Sequence, residues 1–204
     1  MVHALDAAFA GSHTPLIVVG WSLGGAVALR WARTAPQRIG RLALVCTTPC
    51  FVARPDWPLA MAAATLAQFG DELRVACRPT LLRFLSLQLR GGDDAKSALA
   101  AMRARLFERP EPAPAVLAQA LAVLAAMDLR AAAPEIRQPA LVLAGERDTL
   151  ASCAAGAWLA QAMPDARFTA IAGAAHAPHL SHPAAFAAAL DGFLDEPAAP
   201  ARAG

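Results

Sequence analysis

Ser22 is the residue of this sequence that is best placed to act as a nucleophile. It stands at the centre of Gly20-Trp21-Ser22-Leu23-Gly24, which matches the G-x-S-x-G pattern of a nucleophile elbow. In such a turn the serine lies between a strand and a helix, and its hydroxyl projects clear of the sheet. Side chains two residues before and after the serine are expected to collide, and the two glycines avoid that collision.

A serine hydroxyl needs a base to remove its proton, and the base needs a third group to orient it. Asp148 follows one predicted strand and His176 follows the next. Loops at the carboxyl ends of parallel strands meet at one edge of the sheet. The sequence therefore predicts a catalytic triad of Ser22, Asp148 and His176.

Other residues are alternatives for these roles. Glu146 is a second carboxylate, but Asp148 lies a turn's length past its strand and has the shorter reach that suits a buried pairing with histidine. His179 and His182 are alternatives to the predicted base, although His182 precedes a proline where a surface or capping position is expected. Ser22 could also cap the following helix; the strand before it and the helix after it favour the nucleophile.

The histidines at 176, 179 and 182 form an H-x-x-H-x-x-H pattern that suggests zinc when one helix presents it. Pro178 and Pro183 interrupt that helix, so we predict no metal and no other cofactor.

The composition indicates a globular chain without a strong charge bias. The 204 residues are 57% hydrophobic with a net charge of +2. The charges are scattered, so nucleic acid is not an expected partner. No apolar run of membrane-spanning length and no signal peptide is visible, so a membrane is not expected either. Four cysteines without a C-x-x-C pair predict reduced thiols in a cytoplasmic protein.

The elements that position the triad follow an α/β pattern. Strands are predicted at 16–19, 41–47, 140–144 and 167–171, with helices at 26–35, 151–163 and from 183 to about 194. Between the second and third strands lie helical stretches at 59–69, 71–89, 95–107 and 113–127, with breaks at Gly70, Gly91-Gly92 and residues 110–112. This segment is too long for a simple crossover, so we interpret it as an inserted lid.

The predicted organisation is a core at 1–48, a helical lid at 49–130, the rest of the core at 131–195 and a flexible tail at 196–204.

Five motifs carry a resemblance over most of the chain: Gly20-Trp21-Ser22-Leu23-Gly24-Gly25; Thr48-Pro49-Cys50-Phe51 with Trp57-Pro58; Arg83-Phe84-Leu85-Ser86-Leu87-Gln88; Met127-Asp128-Leu129-Arg130; and Ala174-Ala175-His176-Ala177-Pro178 with Ser181-His182-Pro183. Together they resemble the α/β-hydrolase family and, within it, the pimeloyl-acyl-carrier-protein methyl ester esterases of biotin synthesis. The resemblance implies a mainly parallel sheet with an inserted helical lid, and a monomeric serine carboxylesterase whose partner is an acyl-carrier protein.

The resemblance also implies roles for further residues. Trp21 and Leu23 would flank the ester, with the Leu23 amide as an oxyanion donor. An acyl channel under the lid would be lined by Phe84, Leu85, Ser86, Leu87 and Gln88. Basic lid residues would meet the acidic carrier protein, unless they form only a solvated helix face: Arg74, Arg78, Arg83, Lys96 and Arg103.

The chain departs from that family at its start. Members carry several strands and a loop before the elbow strand, and the loop supplies a second oxyanion amide. This sequence begins about one strand–helix unit before the elbow, so an exposed edge strand is expected. A misassigned start, a fragment and a decayed paralogue would each give this pattern. The alternative functions are another lidded hydrolase, such as a general carboxylesterase or an enol-lactonase, and a non-catalytic truncated homologue.

Overall fold

The computed structural model describes residues 1–89, 95–108 and 110–196. Its helices and strands, labelled in chain order, are α1 (Val2–Ala8), β1 (Leu16–Trp21), α2 (Leu23–Thr34), β2 (Ile39–Val45), α3 (Ala63–Val75), α4 (Cys77–Gln88), α5 (Ala95–Glu108), α6 (Pro114–Ala126), β3 (Ala140–Gly145), α7 (Cys153–Ala162), β4 (Ala166–Ile171), α8 (Pro178–Ser181) and α9 (Pro183–Leu194). The predicted break at Gly91-Gly92 and the predicted tail from residue 197 onward lie outside the described residues. Within the described ranges, no helix is long and apolar enough to cross a membrane.

The strands form one parallel sheet in the order β1-β2-β3-β4. Near its carboxyl end, Val45 of β2 lies beside Trp21 of β1 and Leu143 of β3. A sheet wound in one direction by right-handed crossovers has its connecting helices on one face. Leu29 of α2 and Leu159 of α7 accordingly belong to the same buried apolar cluster. The predicted α/β class is confirmed.

The opposite face of the sheet is covered by α9, which contributes Phe186 and Phe193 to a second apolar cluster. This cover does not extend over β1, because Ile17 is 56% and Val19 51% exposed. Among the described residues β1 pairs only with β2, so its outer edge is open, as the sequence predicted.

Helices α3 to α6 lie between β2 and β3, as the lid prediction requires. The predicted helix break at Gly70 is wrong, because α3 runs through it and the chain turns at Ala76, with φ −144° and ψ 68°. The cause is Pro79, which has no N–H and whose ring would clash with the carbonyl of Val75 in a continuous helix. A glycine inside a helix costs only about 1 kcal/mol, so Gly70 is tolerated.

The two ends of the helical segment are held together. The Leu129 N–H donates to the Pro49 carbonyl at 2.7 Å. The Arg130 guanidinium binds the Asp128 carboxylate at 2.7 Å and the Asp56 carboxylate at 2.8 Å. Hydrogen bonds from Arg130 lower the pKa of both carboxyl groups. The chain therefore enters and leaves the helical segment at neighbouring positions, which these bonds hold together.

Candidate active site

Ser22 occupies the turn between β1 and α2 in a conformation that residues with a side chain rarely adopt. Its φ is 53° and its ψ is −120°, and such a conformation costs of order 1–3 kcal/mol. The Ser22 N–H donates to the Val45 carbonyl at 2.8 Å, and its own carbonyl accepts from Gly25 at 3.0 Å. In the described structure the side chain makes no capping bond to α2, which argues against the helix-cap alternative.

Close packing of strand on helix explains two glycines near the serine. A Cβ on Gly20 would lie 2.6 Å from Gly25 Cα, and a Cβ on Gly25 would lie 1.9 Å from Thr47 Oγ1. A Cβ on Gly24 would meet no atom within 4 Å. The prediction that Gly24 must be small is therefore wrong, because Gly24 is on the exposed side of the first turn of α2 and Gly25 is on the buried side.

We expect Gly20→Ala and Gly24→Ala to differ sharply in stability. The Gly20 substitution forces two backbone segments apart and should lower the free energy of unfolding by about 1–3 kcal/mol. The Gly24 substitution meets open space in a helix and should stay within about 1 kcal/mol of wild type. Urea unfolding measures both variants, and equal stabilities would contradict this account of the elbow.

Asp148 lies in the turn after β3 and is 6% exposed. Its Oδ1 accepts hydrogen bonds from the amides of Leu150 (2.8 Å) and Ala151 (3.0 Å), while its Oδ2 lies 2.8 Å from His176 Nδ1. The alternative carboxylate, Glu146, is exposed and accepts a bond from the Gly173 amide at 2.8 Å. The structure therefore places Asp148, and not Glu146, against the histidine.

His176 follows β4 and is 3% exposed. Because a carboxylate can only accept, the proton is assigned to the Nδ1 beside Asp148, and in the neutral imidazole Nε2 then has a free lone pair. His179 instead packs edge-on against the Trp21 ring, 4.8 Å between centroids, and burial, with His176 nearby, lowers its pKa. His182 Nδ1 lies 2.9 Å from Ser181 Oγ. The three histidines thus lie in three different environments, unlike the ligands of one zinc ion.

The elbow lies against the histidine loop through Trp21, whose ring centroid is 5.7 Å from that of His176. Ser22 Oγ makes no hydrogen bond to His176 in the described part of the chain; such bonds are often long before a substrate binds. Leu23 begins α2, and the amides of a first helical turn lack partners within their helix. The Leu23 amide is therefore free to donate to an oxyanion.

Cys46 is a neighbour of this site that the sequence did not indicate. It is 1% exposed and has a φ of 46°. Its Sγ lies within 4.8 Å of ligand atoms of Asp148 and His176. Burial, with Asp148 second, raises the pKa of the thiol well above its usual range. These three side chains have the donor types of a zinc site, and two of them, Asp148 and His176, are bonded to each other.

An apolar cavity of about 210 Å³ lies between the helices α3, α4 and α6. Its lining residues include Phe51, Leu66, Phe84, Leu87, Leu121 and Leu150. Leu150 follows the Asp148 turn, and its amide is bonded to that carboxylate, so the cavity wall adjoins the site.

Of the five residues predicted to line an acyl channel, Phe84 and Leu87 line this cavity. Leu85, Ser86 and Gln88 are not among its lining residues. A helix presents residues three or four apart to one side, so five consecutive residues cannot share a wall.

The predicted carrier-protein contacts are all exposed residues of α3, α4 and α5: Arg74, Arg78, Arg83, Lys96 and Arg103. Three of them have carboxylate partners, since Arg74 is paired with Asp71, Arg78 with Glu111 and Arg83 with Glu72. Arg103 donates to Ser86 Oγ at 3.3 Å. Much of the positive charge on this surface is therefore already compensated.

Comparisons with known proteins agree with this geometry. A sequence model of the alpha/beta hydrolase family matches residues 1–189. The pimeloyl-[acyl-carrier protein] methyl ester esterase of Nitrosomonas europaea is 41% identical over 174 residues, or 85% of this chain and 69% of the relative. The protein of the same name from Xanthomonas oryzae pv. oryzae is 43% identical over 188 residues, or 92% of this chain and 74% of the relative.

Among solved structures, an esterase from Exiguobacterium antarcticum superposes with a TM-score of 0.87. The match covers 96% of this chain and 73% of the other at 16% sequence identity, which is a likeness of fold.

Proposed function

The chain belongs to the alpha/beta hydrolase family, and on that premise we propose that it is a serine carboxylesterase that hydrolyses the methyl ester of pimeloyl-acyl-carrier protein in biotin synthesis. The proposed catalysis is supported above all by the buried Asp148–His176 pair beside the strained Ser22 turn. The identity to relatives with this printed activity, over most of the chain, supports the substrate.

In the proposed mechanism Ser22 Oγ attacks the ester carbonyl while His176 Nε2 takes its proton. Asp148 holds the imidazole in the tautomer that can accept, and the Leu23 amide donates to the oxyanion. As the tetrahedral intermediate collapses, the bond to the methoxy oxygen breaks, that oxygen takes the proton from His176 and leaves as methanol, and an acyl-enzyme remains. Water, deprotonated by the same histidine, then releases the free carboxylate and restores Ser22.

We propose residues 49–130 as a lid over this site, with the core at 1–48 and 131–195. The apolar cavity under its helices would take the methylene chain of the substrate, since Phe84 and Leu87 line it. Lys96 and the exposed arginines of the same helices would meet the acidic carrier, as the resemblance implies. We further propose a monomer in the cytoplasm, where the four free cysteines would stay reduced.

The test is hydrolysis of pimeloyl-acyl-carrier-protein methyl ester by the purified chain, followed by mass spectrometry of the carrier. Dimethyl pimelate without carrier and a short p-nitrophenyl ester are run in parallel. We expect kcat/KM to be highest for the carrier-linked ester. Equal values for all three would favour a general carboxylesterase, and absence of turnover together with no fluorophosphonate labelling at Ser22 would favour a non-catalytic homologue.

A further inference from the structure

The peptide unit between His176 and Ala177 is held at both of its polar atoms. Its carbonyl accepts a hydrogen bond from Trp21 Nε1 at 2.7 Å. Its N–H donates to the backbone carbonyl of Gln88 at 3.0 Å. A single peptide unit is therefore bound by the nucleophile elbow on one side and by the inserted helices on the other.

The surroundings exclude water from this peptide unit. Ala177 is 0% exposed and Gln88 is 3% exposed. A buried carbonyl that loses its donor keeps the full cost of desolvation, because solvent cannot replace the bond. The cheapest response to losing the Trp21 bond is for the loop to move, and the loop carries the imidazole.

The donor and the acceptor that bind this peptide unit come from elements that already serve the site. Trp21 directly precedes Ser22, so the same turn that presents the nucleophile also binds the main-chain carbonyl of the base, His176. Gln88 is the last residue of α4, whose Phe84 and Leu87 line the apolar cavity. The position of His176 thus depends on the elbow, on Asp148 and on the carboxyl end of α4.

We propose that Trp21 is a positioning residue for His176: its indole N–H, with the Gln88 carbonyl as the second attachment, fixes the imidazole in the register that takes a proton from Ser22. The proposal rests on the proposed serine esterase function. The bond acts on the base and not on the substrate, so its loss should lower kcat and leave KM almost unchanged. Misplacement of a reacting group by about 1 Å can cost on the order of 10²-fold in rate.

Trp21→Phe tests this with the aromatic ring retained, so packing against His176 and His179 is largely kept and only the N–H donor is lost. Trp57→Phe is the matched control, because Trp57 Nε1 donates to the Cys50 carbonyl at 2.9 Å in a buried position away from the histidine. Both variants are assayed with a short p-nitrophenyl ester, which does not depend on the identity of the natural substrate.

We expect Trp21→Phe to lower kcat by about tenfold or more with KM within about twofold of wild type. The rate of fluorophosphonate labelling should fall in parallel, and Trp57→Phe should leave both values unchanged.

The downfield proton resonance of His176 Nδ1–H gives a readout that needs no catalysis, and it should broaden in Trp21→Phe alone. A kcat and a resonance that match wild type would overturn the proposal, as would equal losses in the two variants. A wild-type chain that neither turns over nor labels would refute the proposed function, and the resonance would still decide the positioning role.

Discussion

Ser22→Ala is expected to lower kcat for ester hydrolysis by roughly 10⁴-fold or more, because the variant has no group that can form the acyl-enzyme. Alanine has the same Cβ as serine, so it meets the same backbone strain at φ 53° and the fold should survive. The hydroxyl makes no capping bond in the described structure, so its removal leaves no helix amide newly unpaired.

The measurement combines initial rates with a fluorophosphonate probe. Labelling should disappear in Ser22→Ala and persist in the control Ser12→Ala, in which an exposed hydroxyl bonded to the Thr14 carbonyl is removed. Thermal unfolding verifies that both variants are folded. A Ser22→Ala variant that keeps more than a few per cent of wild-type turnover would exclude the covalent mechanism.

Asp148→Asn is expected to lower kcat by about 10⁴-fold. The reason lies in how the two carboxylate oxygens are used. Oδ1 accepts from two backbone amides, so the asparagine must keep its oxygen there and turn its NH₂ toward His176. A donor facing Nδ1 forces the imidazole into the opposite tautomer, whose protonated Nε2 cannot accept the Ser22 proton.

Glu146→Gln is the matched control for this variant. It makes the same change of carboxylate to amide two residues away, on an exposed side chain that binds the Gly173 amide. Its kcat should stay within about threefold of wild type, since surface changes away from the reacting atoms have small effects. Similar losses of kcat in the two variants would contradict this explanation, because they would show that the activity depends on the charge of this loop and not on the tautomer of His176.

The order of strands and the chemistry that follows each one could be predicted from the sequence. Apolar runs next to turn residues identified the four strands of the described residues, and β2, at Ile39–Val45, begins and ends two residues before its predicted range of 41–47. Parallel strands end at one edge, which is why Asp148 and His176 could be paired without knowing any distance.

The features that the sequence did not predict depend on contacts between elements that are packed together in the fold. Gly24 fits the motif, yet only a packed helix shows that Gly25 is the glycine that faces Thr47. The binding of the His176–Ala177 peptide unit by Gln88 uses a main-chain carbonyl, which any residue provides. The positive φ of Cys46 is likewise not indicated by its residue type, because residues with a Cβ rarely adopt it.

The carboxylate partners of the arginines in the helical segment were not predicted from the sequence either. A sequence lists Arg74, Arg78 and Arg83 as free cations, but each lies beside a carboxylate in the structure. The Arg74–Asp71 pair lies within α3 at a spacing of three residues, whereas Arg78 and Arg83 pair with residues of other segments, and those pairs depend on how the segments pack. Exposed pairs contribute little to stability, so these arginines can exchange one acidic partner for another at small cost.

A backbone that paired in parallel with the open edge of β1 would arrive beside the nucleophile. It would lie about 4.8 Å from β1, in the plane of the sheet. Because parallel strands of one sheet end at the same edge, the residues after such a strand would emerge near Trp21 and Ser22. Such a strand would also remove the unpaired edge of β1, at which another chain could otherwise add and start aggregation.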